Sequence, residues 1–207
     1  MTPTHHPREE SLASLAGGTL SAGPRLVLAT HLAGCRACRD RVRFFEAIGG
    51  ALLDSETPGP VSDDLLAGAL ARLDPASAAP AARADRAATP LGNCEIGPWR
   101  FVQPGFRISR VSIPREPEAN VILLKVGAGR LVPRHGHEGV EYTQVLSGAF
   151  SDALGRYAAG DCIEADDDID HQPTVEGDQE CICLAAVEGR LRLHSFVARL
   201  LQPFLGL

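Results

Sequence analysis

The sequence of 207 residues has no uninterrupted apolar run of the roughly eighteen residues that a membrane-spanning helix needs. The opening segment MTPTHHPREE also lacks the apolar stretch of a secretory signal. These two absences predict a cytoplasmic protein that has no membrane partner.

Aromatic residues and positive charge are both scarce. The chain has two Tyr and one Trp, and its formal net charge is −6. Proteins that bind nucleic acid directly use basic grooves and aromatic side chains on which bases stack. The composition therefore argues against direct binding of DNA or RNA.

Apolar periodicity is missing between Asp74 and Gly92, where the sequence DPASAAPAARADRAATPLG is nearly all Ala, Pro, Asp and Arg. Such a composition is typical of a poorly ordered linker. The chain length suits one large domain or two small ones. We predict a first domain over residues 1–74, a linker over 75–92 and a second domain over 93–207.

The first domain is predicted to be a helical bundle. Apolar spacing and helix-start residues indicate helices from Pro7 to Ala16, from Pro24 to His31, from Cys35 to Leu53 and from Ser62 to Leu73. About seventy residues give only a marginal hydrophobic core, so a structural metal would stabilise this domain. The third helix is predicted to carry one apolar stripe, formed by Cys38, Val42, Phe45, Ile48 and Leu52.

The second domain is predicted to be all-β. Its short segments are FRISRVSI (106–113), NVILLKV (120–126), EYTQVLSG (141–148) and ECICLAAVE (180–188). They are partly β-branched, and Gly, Pro and Asp separate them. Closely spaced strands without helices between them predict an antiparallel sandwich or small barrel.

Six cysteines without a secretory signal are more typical of metal binding than of a disulfide framework. His31, Cys35 and Cys38 recur at helical spacing, which brings them to one side of a helix or of two helices that meet at Gly34. With a second imidazole they form a Cys₂His₂ set suited to structural zinc. The fourth ligand is His5 or His6, and we prefer His6 because it lies just before the first helix.

Two other interpretations of this cluster are possible. Cys35 and Cys38 could be small core residues, with His31 a surface histidine. A redox CxxC pair is disfavoured because no βαβ pattern surrounds it.

A second cluster of candidate metal ligands lies in the second domain. Residues 129–148, GRLVPRHGHEGVEYTQVLSG, match the first cupin motif through Gly129, His135, His137, Glu141 and Gly148. The resemblance implies a jelly-roll-like barrel in which the two histidines and the glutamate are metal ligands.

The second cupin motif is present in altered form. Gly160 and His171 have the expected spacing, but Asp166, Asp168 and Val175 replace its usual Pro, Gly and Asn. The resemblance makes His171 the fourth ligand. A His₃Glu set accepts zinc or another divalent transition metal, and the sequence does not choose among them. A metal-free cupin is the alternative.

Two further groups are given structural roles. Cys181 and Cys183 share a strand face and are predicted to be core residues rather than ligands. The acidic run at 166–170 is predicted to be a solvated loop, with repulsion of oxyanions from the metal site or movement as a gate as the alternatives.

Both domains together resemble the ChrR type of zinc anti-sigma factor. The resemblance covers essentially the whole chain. Besides the cupin motif it includes HH at 5–6, AGGTL at 16–20, ATHLAGCRAC at 29–38, HQPTV at 171–175, CICLAA at 181–186 and SFVARLLQPF at 195–204.

This resemblance implies a regulator rather than an enzyme, with no catalytic residues. Its first domain would bind zinc and sequester an extracytoplasmic-function (group IV) sigma factor in a 1:1 complex. Its cupin would respond to singlet oxygen or organic hydroperoxides. The implied ligands are His6, His31, Cys35 and Cys38 for the first site, and His135, His137, Glu141 and His171 for the second.

Several alternatives stay open from the sequence. A His₃Glu cupin could be a metal-dependent dioxygenase or isomerase with an accessory zinc domain. A metal-storage or metal-sensing protein is a third possibility. The helix from Ser62 to Leu73 could dock in a groove of the partner, although internal core is the commoner use of such an apolar face.

Overall fold

The computed structural model of the chain describes residues 2–62, 64–73, 90–167 and 172–193. Over these residues an α-helical part precedes antiparallel β-sheets, as predicted. No helix in the described ranges combines the length and hydropathy that crossing a bilayer requires. The helices are α1 Glu9–Ala16, α2 Ala22–Gly34, α3 Arg36–Ser55 and α4 Asp64–Ala71, and a 3₁₀ turn follows at Pro90–Asn93.

The four predicted helices are present at the predicted places. Glu9 and Glu10 lie in the first turn of α1, where negative charge suits the helix dipole. Cys35 has an extended backbone (φ −105°, ψ 108°) that ends α2 and begins α3. The break predicted near Gly34 is therefore a change of helix.

The β part, called the barrel below, is built from short strands. They are β1 Glu95–Ile96, β2 Arg100–Gln103, β3 Phe106–Ser112, β4 Val121–Val126, β5 His135–Glu138, β6 Glu141–Ser147, β7 Ala149–Asp152, β8 Gly155–Ala158, β9 Cys162–Ala165, β10 Thr174–Val175, β11 Cys181–Val187 and β12 Arg190–Leu193.

Strand pairing in the barrel is antiparallel throughout the described residues. The largest sheet has the order β1-β3-β4-β11-β6-β9, with β2 also paired to β3. A three-stranded sheet has the order β10-β7-β8, and β12 pairs with β5. This is the antiparallel sandwich that the strand pattern predicts.

The largest sheet is buried on both faces. Inside the barrel, side chains such as Phe106 of β3, Val145 of β6 and Phe150 of β7 form one core. On the other face, Leu26 and Leu28 of α2 belong to a second core. The sheet contributes Val111, Val121, Leu123, Tyr142, Cys162, Leu184 and Ala186 to that second core.

The helical part therefore shares its core with the barrel. The close packing is visible at Gly23 of α2, where a Cβ atom would lie 3.2 Å from Cβ of Ala186 and 3.3 Å from Cγ2 of Val121. The sequence predicts marginal stability for an isolated bundle of this size. The core shared with the barrel is a source of stability that the sequence did not predict.

The predicted domain boundaries stay a prediction, because residues 74–89 lie outside the described residues. The end of the predicted linker is ordered, since Leu91 packs against the core between helices and sheet.

The apolar stripe of α3 is only partly buried. Cys38 and Val42 are in the core and Phe45 packs against it, whereas Leu52 is 64% exposed. The reason is length: α3 has 20 residues and α1, which packs against it, has 8. The second half of α3 extends beyond its neighbours.

Helix α4 has no buried residue. Leu66 and Leu70 are 67% and 55% exposed. The interpretation of this helix as internal core is therefore wrong for the described chain, and its apolar face is open to a partner.

Candidate metal centres

The helical part brings four predicted ligands together. His6, His31, Cys35 and Cys38 each offer one ligand atom, and these atoms all lie within 4.8 Å of one another. The His6 Nδ1 atom is 3.5 Å from Sγ of Cys35 and 3.3 Å from Sγ of Cys38. Two sulfur and two nitrogen donors so close together could hold one metal ion.

Local structure explains how three of these residues meet. His31 lies in the last turn of α2, and Cys38 lies in the first turn of α3. Cys35 joins the two helices, and its backbone N–H donates to the carbonyl oxygen of His31 at 2.9 Å. The helical spacing of the three residues thus survives the change of helix.

The two adjacent histidines have different surroundings. His6 belongs to the cluster, as the preference for His6 over His5 expects. The Nδ1 atom of His5 lies 3.3 Å from Oδ2 of Asp161, and its ring packs edge-on against Tyr157. Asp161 thus holds the histidine that the cluster does not include.

His31 is buried, with 1% of its surface exposed, so the interpretation of it as a surface histidine is wrong. Its Nδ1 atom lies 3.1 Å from Oε1 of Gln144 and 3.0 Å from the carbonyl oxygen of Gly160. Both partners are acceptors, so Nδ1 carries the proton. Burial lowers the pKa of His31, which favours this neutral form.

The remaining nitrogen of His31 fits a metal. Its Nε2 atom is buried and has no hydrogen-bond partner among the described residues. A buried imidazole lone pair without a donor is costly, and coordination of a cation satisfies it. The orphaned atom supports a metal-binding role of the cluster.

The cysteines fit a metal for a second reason. Burial, and then the neighbouring Cys35, raise the pKa of the Cys38 thiol to about 12. A divalent cation beside the Cys38 sulfur would provide the positive charge that stabilises its thiolate form.

The barrel brings two predicted cupin ligands together. His135 on β5 and Glu141 at the start of β6 are both buried, and His135 Nε2 lies 3.7 Å from Glu141 Oε2. His135 Nδ1 donates to the carbonyl oxygen of Pro133 at 2.7 Å, which leaves the lone pair on Nε2. Thr143 Oγ1 donates to Glu141 Oε1 at 2.9 Å. An imidazole lone pair and a carboxylate oxygen facing each other suit a cation.

The other two predicted cupin ligands are described less fully. The backbone of His137 pairs with Leu191 of β12, and its side chain lies outside the described part. His171 lies wholly outside the described residues.

The backbone of the turn after β6 explains why the cupin motif has a glycine at position 148. Gly148 has φ +74°, and a Cβ atom there would lie 2.6 Å from the carbonyl oxygen of Glu180. Only glycine fits this turn without displacing the backbone. This turn joins β6 to β7 where it passes close to the backbone of Glu180.

The barrel residues that hold the N-terminal segment were not among the predicted functional residues. Asp161 accepts hydrogen bonds from the backbone N–H groups of Thr4 at 2.6 Å and His5 at 3.0 Å. Burial alone would raise the pKa of Asp161, but these bonds and one from Ala158 outweigh it and lower that pKa to about 2. The partners are far apart in sequence, so no local pattern could reveal them.

A second barrel carboxylate was also missed. Glu164 accepts hydrogen bonds from the backbone N–H of Arg8 and the hydroxyl of Ser11, both at 2.9 Å. Arg8 in turn donates to Asp166 at 2.9 Å. The acidic run predicted to be a solvated loop therefore begins with a residue paired to the helical part.

Cys181 and Cys183 are buried in the barrel core, as predicted. Their sulfur atoms are 3.7 Å apart on the same face of β11.

Taken together, the geometry defines a two-part protein: a helical segment with a Cys₂His₂ cluster packed on a cupin-like barrel with a second cluster. Residues 90–189 match the family model described as the ChrR cupin-like domain. The chain is 42% identical to the anti-sigma-E factor ChrR of Cereibacter sphaeroides, over 99% of this chain and 99% of that protein. It belongs to the ChrR family of anti-sigma factors.

A solved structure supports this assignment. The chain resembles a crystal structure of Rhodobacter sphaeroides SigE in complex with the anti-sigma ChrR, with 37% identity and a TM-score of 0.74. The match covers 90% of this chain and 100% of that one. Because the similarity includes both the helical part and the barrel, it favours a regulator over a cupin enzyme with an accessory domain.

Proposed function

We propose that the chain sequesters an extracytoplasmic-function (group IV) sigma factor in a 1:1 complex and that zinc in the helical cluster makes this possible. The observation that carries the proposal is the grouping of His6, His31, Cys35 and Cys38 beside helices whose apolar surface is open. The 42% identity to an anti-sigma-E factor over 99% of the chain supports the choice of partner.

Zinc is the proposed ion because two thiolates and two imidazoles are its usual tetrahedral set in structural sites. Four protein ligands leave no position for a substrate. When bound, zinc would tie His6 of the N-terminal segment to the junction of α2 and α3. The ion would thereby fix the orientation of α3.

The proposed contact surface is the second half of α3 together with α4. Exposed leucines on both helices form its apolar part, and large exposed apolar patches mark protein interaction sites. A short helix such as α4, whose leucines are exposed, suits a groove in a partner protein. Its members include Ile48, Leu52, Leu53, Leu65, Leu66 and Leu70.

For the barrel we propose a sensor role. His135, His137, Glu141 and His171 would hold zinc or another divalent transition metal, and the response would be to singlet oxygen or organic hydroperoxides. The His135 Nε2 and Glu141 Oε2 atoms lie 3.7 Å apart, which supports a metal site between them. The family resemblance supports the stimulus. A sigma factor acts on RNA polymerase, so the proposed location is the cytoplasm.

The decisive experiment co-expresses the full chain with its sigma factor and measures zinc content and co-purification. Cys35→Ala and Cys38→Ala should each lose one zinc per chain and fail to retain the sigma factor. Cys94→Ala is the matched control, because Cys94 lies outside both clusters and its thiol donates to the carbonyl oxygen of Pro90. Retention of zinc and sigma factor by both cluster variants would refute the proposal.

A further inference from the structure

Strand β6 has one face toward each metal cluster. Glu141, Thr143 and Val145 face the barrel interior, where Val145 is in the core and Thr143 bonds Glu141. Tyr142 and Gln144 alternate to the other face, and Tyr142 belongs to the core shared with the helices. A single strand therefore carries a cupin-cluster residue and a residue that contacts the helical cluster.

The amide of Gln144 is oriented by its own hydrogen bonds. Its Nε2 atom donates to the carbonyl oxygen of Val145 at 3.0 Å, so its Oε1 atom is the one that faces His31. Gln144 is buried, and no water competes for this oxygen from bulk solvent.

Gln144 and Gly160 are the acceptors for His31 Nδ1, and both belong to the barrel. They hold the imidazole in the tautomer whose Nε2 lone pair is free for a metal. Partners of this kind raise the affinity of histidine ligands because they fix both the tautomer and the ring orientation. The helical part on its own would not fix the tautomer in this way.

We infer that Gln144 is a positioning residue of the helical metal cluster and that β6, through Glu141 and Gln144, links the cupin cluster to it. The inference rests on the proposed function, in which the helical cluster holds zinc. A displacement of β6 that follows a change at Glu141 moves the Gln144 amide relative to His31. Metal retention in the helical part then reports the state of the barrel.

The first test measures metal release from the full chain after Co²⁺ has replaced the native metal. The thiolate-to-cobalt charge-transfer band reports only a site that contains cysteine, and its decay in excess chelator gives the release rate. Gln144→Leu should accelerate release about 10-fold to 100-fold, because removing such a partner usually weakens metal affinity by that factor. Gln103→Leu is the control, because its amide bonds a carbonyl oxygen elsewhere in the barrel.

Two further variants separate positioning from a general loss of stability. Gln144→Glu keeps an acceptor for His31 Nδ1 and should restore slow release. Gln144→Met repeats the removal with a side chain of similar length, which decides the question should the leucine variant not fold. If the cobalt release rate is the same for Gln144→Met, Gln103→Leu and the unchanged chain, Gln144 does not have a positioning role.

The second test addresses the link through β6. As a single substitution, Glu141→Gln should change the rate at which the helical cluster releases cobalt. When it is combined with Gln144→Leu, it should have little further effect on that rate. Non-additivity of this kind supports a coupled pair. Additive effects, or no effect of Glu141→Gln, overturn the link.

Different experimental results would refute the proposed function and the further inference. If the unchanged chain shows no charge-transfer band, or if the double variant Cys35→Ala with Cys38→Ala keeps the band, the helical cluster is not the metal site and both proposals fall. If the band is normal and only the Gln144 variants behave like the control, the further inference alone is refuted.

Discussion

The carboxylate of Asp161 in the barrel accepts a hydrogen bond from the backbone N–H of His5 at 3.0 Å, and His5 directly precedes the cluster residue His6. The same carboxylate accepts from Thr4 and from Ala158. The N-terminal segment therefore reaches the metal cluster while it is held by the barrel.

We expect Asp161→Ala to destabilise the chain by about 2 kcal/mol, because it leaves three backbone N–H groups without their charged acceptor. It should also accelerate metal release, since His6 loses its anchor. Chemical denaturation and chelator competition measure the two effects. Asp178→Ala, at an exposed turn, is the control. A stability and a release rate equal to those of the control would contradict the anchoring role.

The exposed face of α4 should be required for binding of the sigma factor but not for folding of the chain. Leu66→Asp with Leu70→Asp should leave the thermal midpoint unchanged, because both side chains are exposed already. Binding to the sigma factor should weaken at least about tenfold, as expected when central apolar residues of an interface are replaced. Isothermal titration calorimetry gives the affinity.

The control for this substitution is Leu154→Asp, since Leu154 is 57% exposed in a barrel hairpin. It tests whether added negative charge alone weakens the complex. An α4 variant that binds as tightly as the Leu154 variant would place the interface elsewhere.

The local part of the first cluster could be predicted from sequence. His31, Cys35 and Cys38 lie within two turns of helix, so their spacing alone brings them together. The strands near 106–113, 120–126, 141–148 and 180–188 were recognisable from composition, and cupin spacing identified His135 and Glu141.

The contacts between the helical part and the barrel could not be predicted. Gln144 meets His31, and Glu164 meets Ser11, across separations of 113 and 153 residues. A buried glutamine or glutamate carries no local signal of its distant partner. Periodicity also could not decide whether α4 is core or interface, because both uses need the same apolar stripe.

Cupin-cluster variants should lose the response and keep repression. His135→Ala and Glu141→Ala remove facing donor atoms inside the barrel, whereas the helical cluster and α4 keep their own residues. In cells under singlet-oxygen stress, sigma-dependent transcription should stay low with these variants and rise with the unchanged chain. A reporter gene measures the response.

Glu95→Ala, which removes an exposed carboxylate of the barrel, is the control for these variants. It should respond as the unchanged chain does. A normal response of the His135 and Glu141 variants, with the metal absent from the barrel, would remove the sensor role.

The last prediction concerns a fragment that ends near Arg83. It keeps the helical cluster, the second half of α3 and α4, so it should bind zinc and repress sigma-dependent transcription without the barrel. It loses Gln144 and Gly160, so its zinc should dissociate faster than that of the full chain. It also exposes the face of α2 that packs on Val121 and Ala186, so it should be less stable and more prone to self-association.

Equilibrium unfolding, chelator competition and in vitro transcription test these three expectations on the fragment, and its Cys38→Ala form is the control without zinc. Repression lost in the control and kept in the fragment would assign inhibition to the helical part. If the fragment instead holds zinc as tightly as the full chain does but fails to repress, the barrel contributes to the sigma-binding surface. In that case the shared core between α2 and the barrel belongs to the inhibitory unit, and inhibition and sensing cannot be separated at the linker.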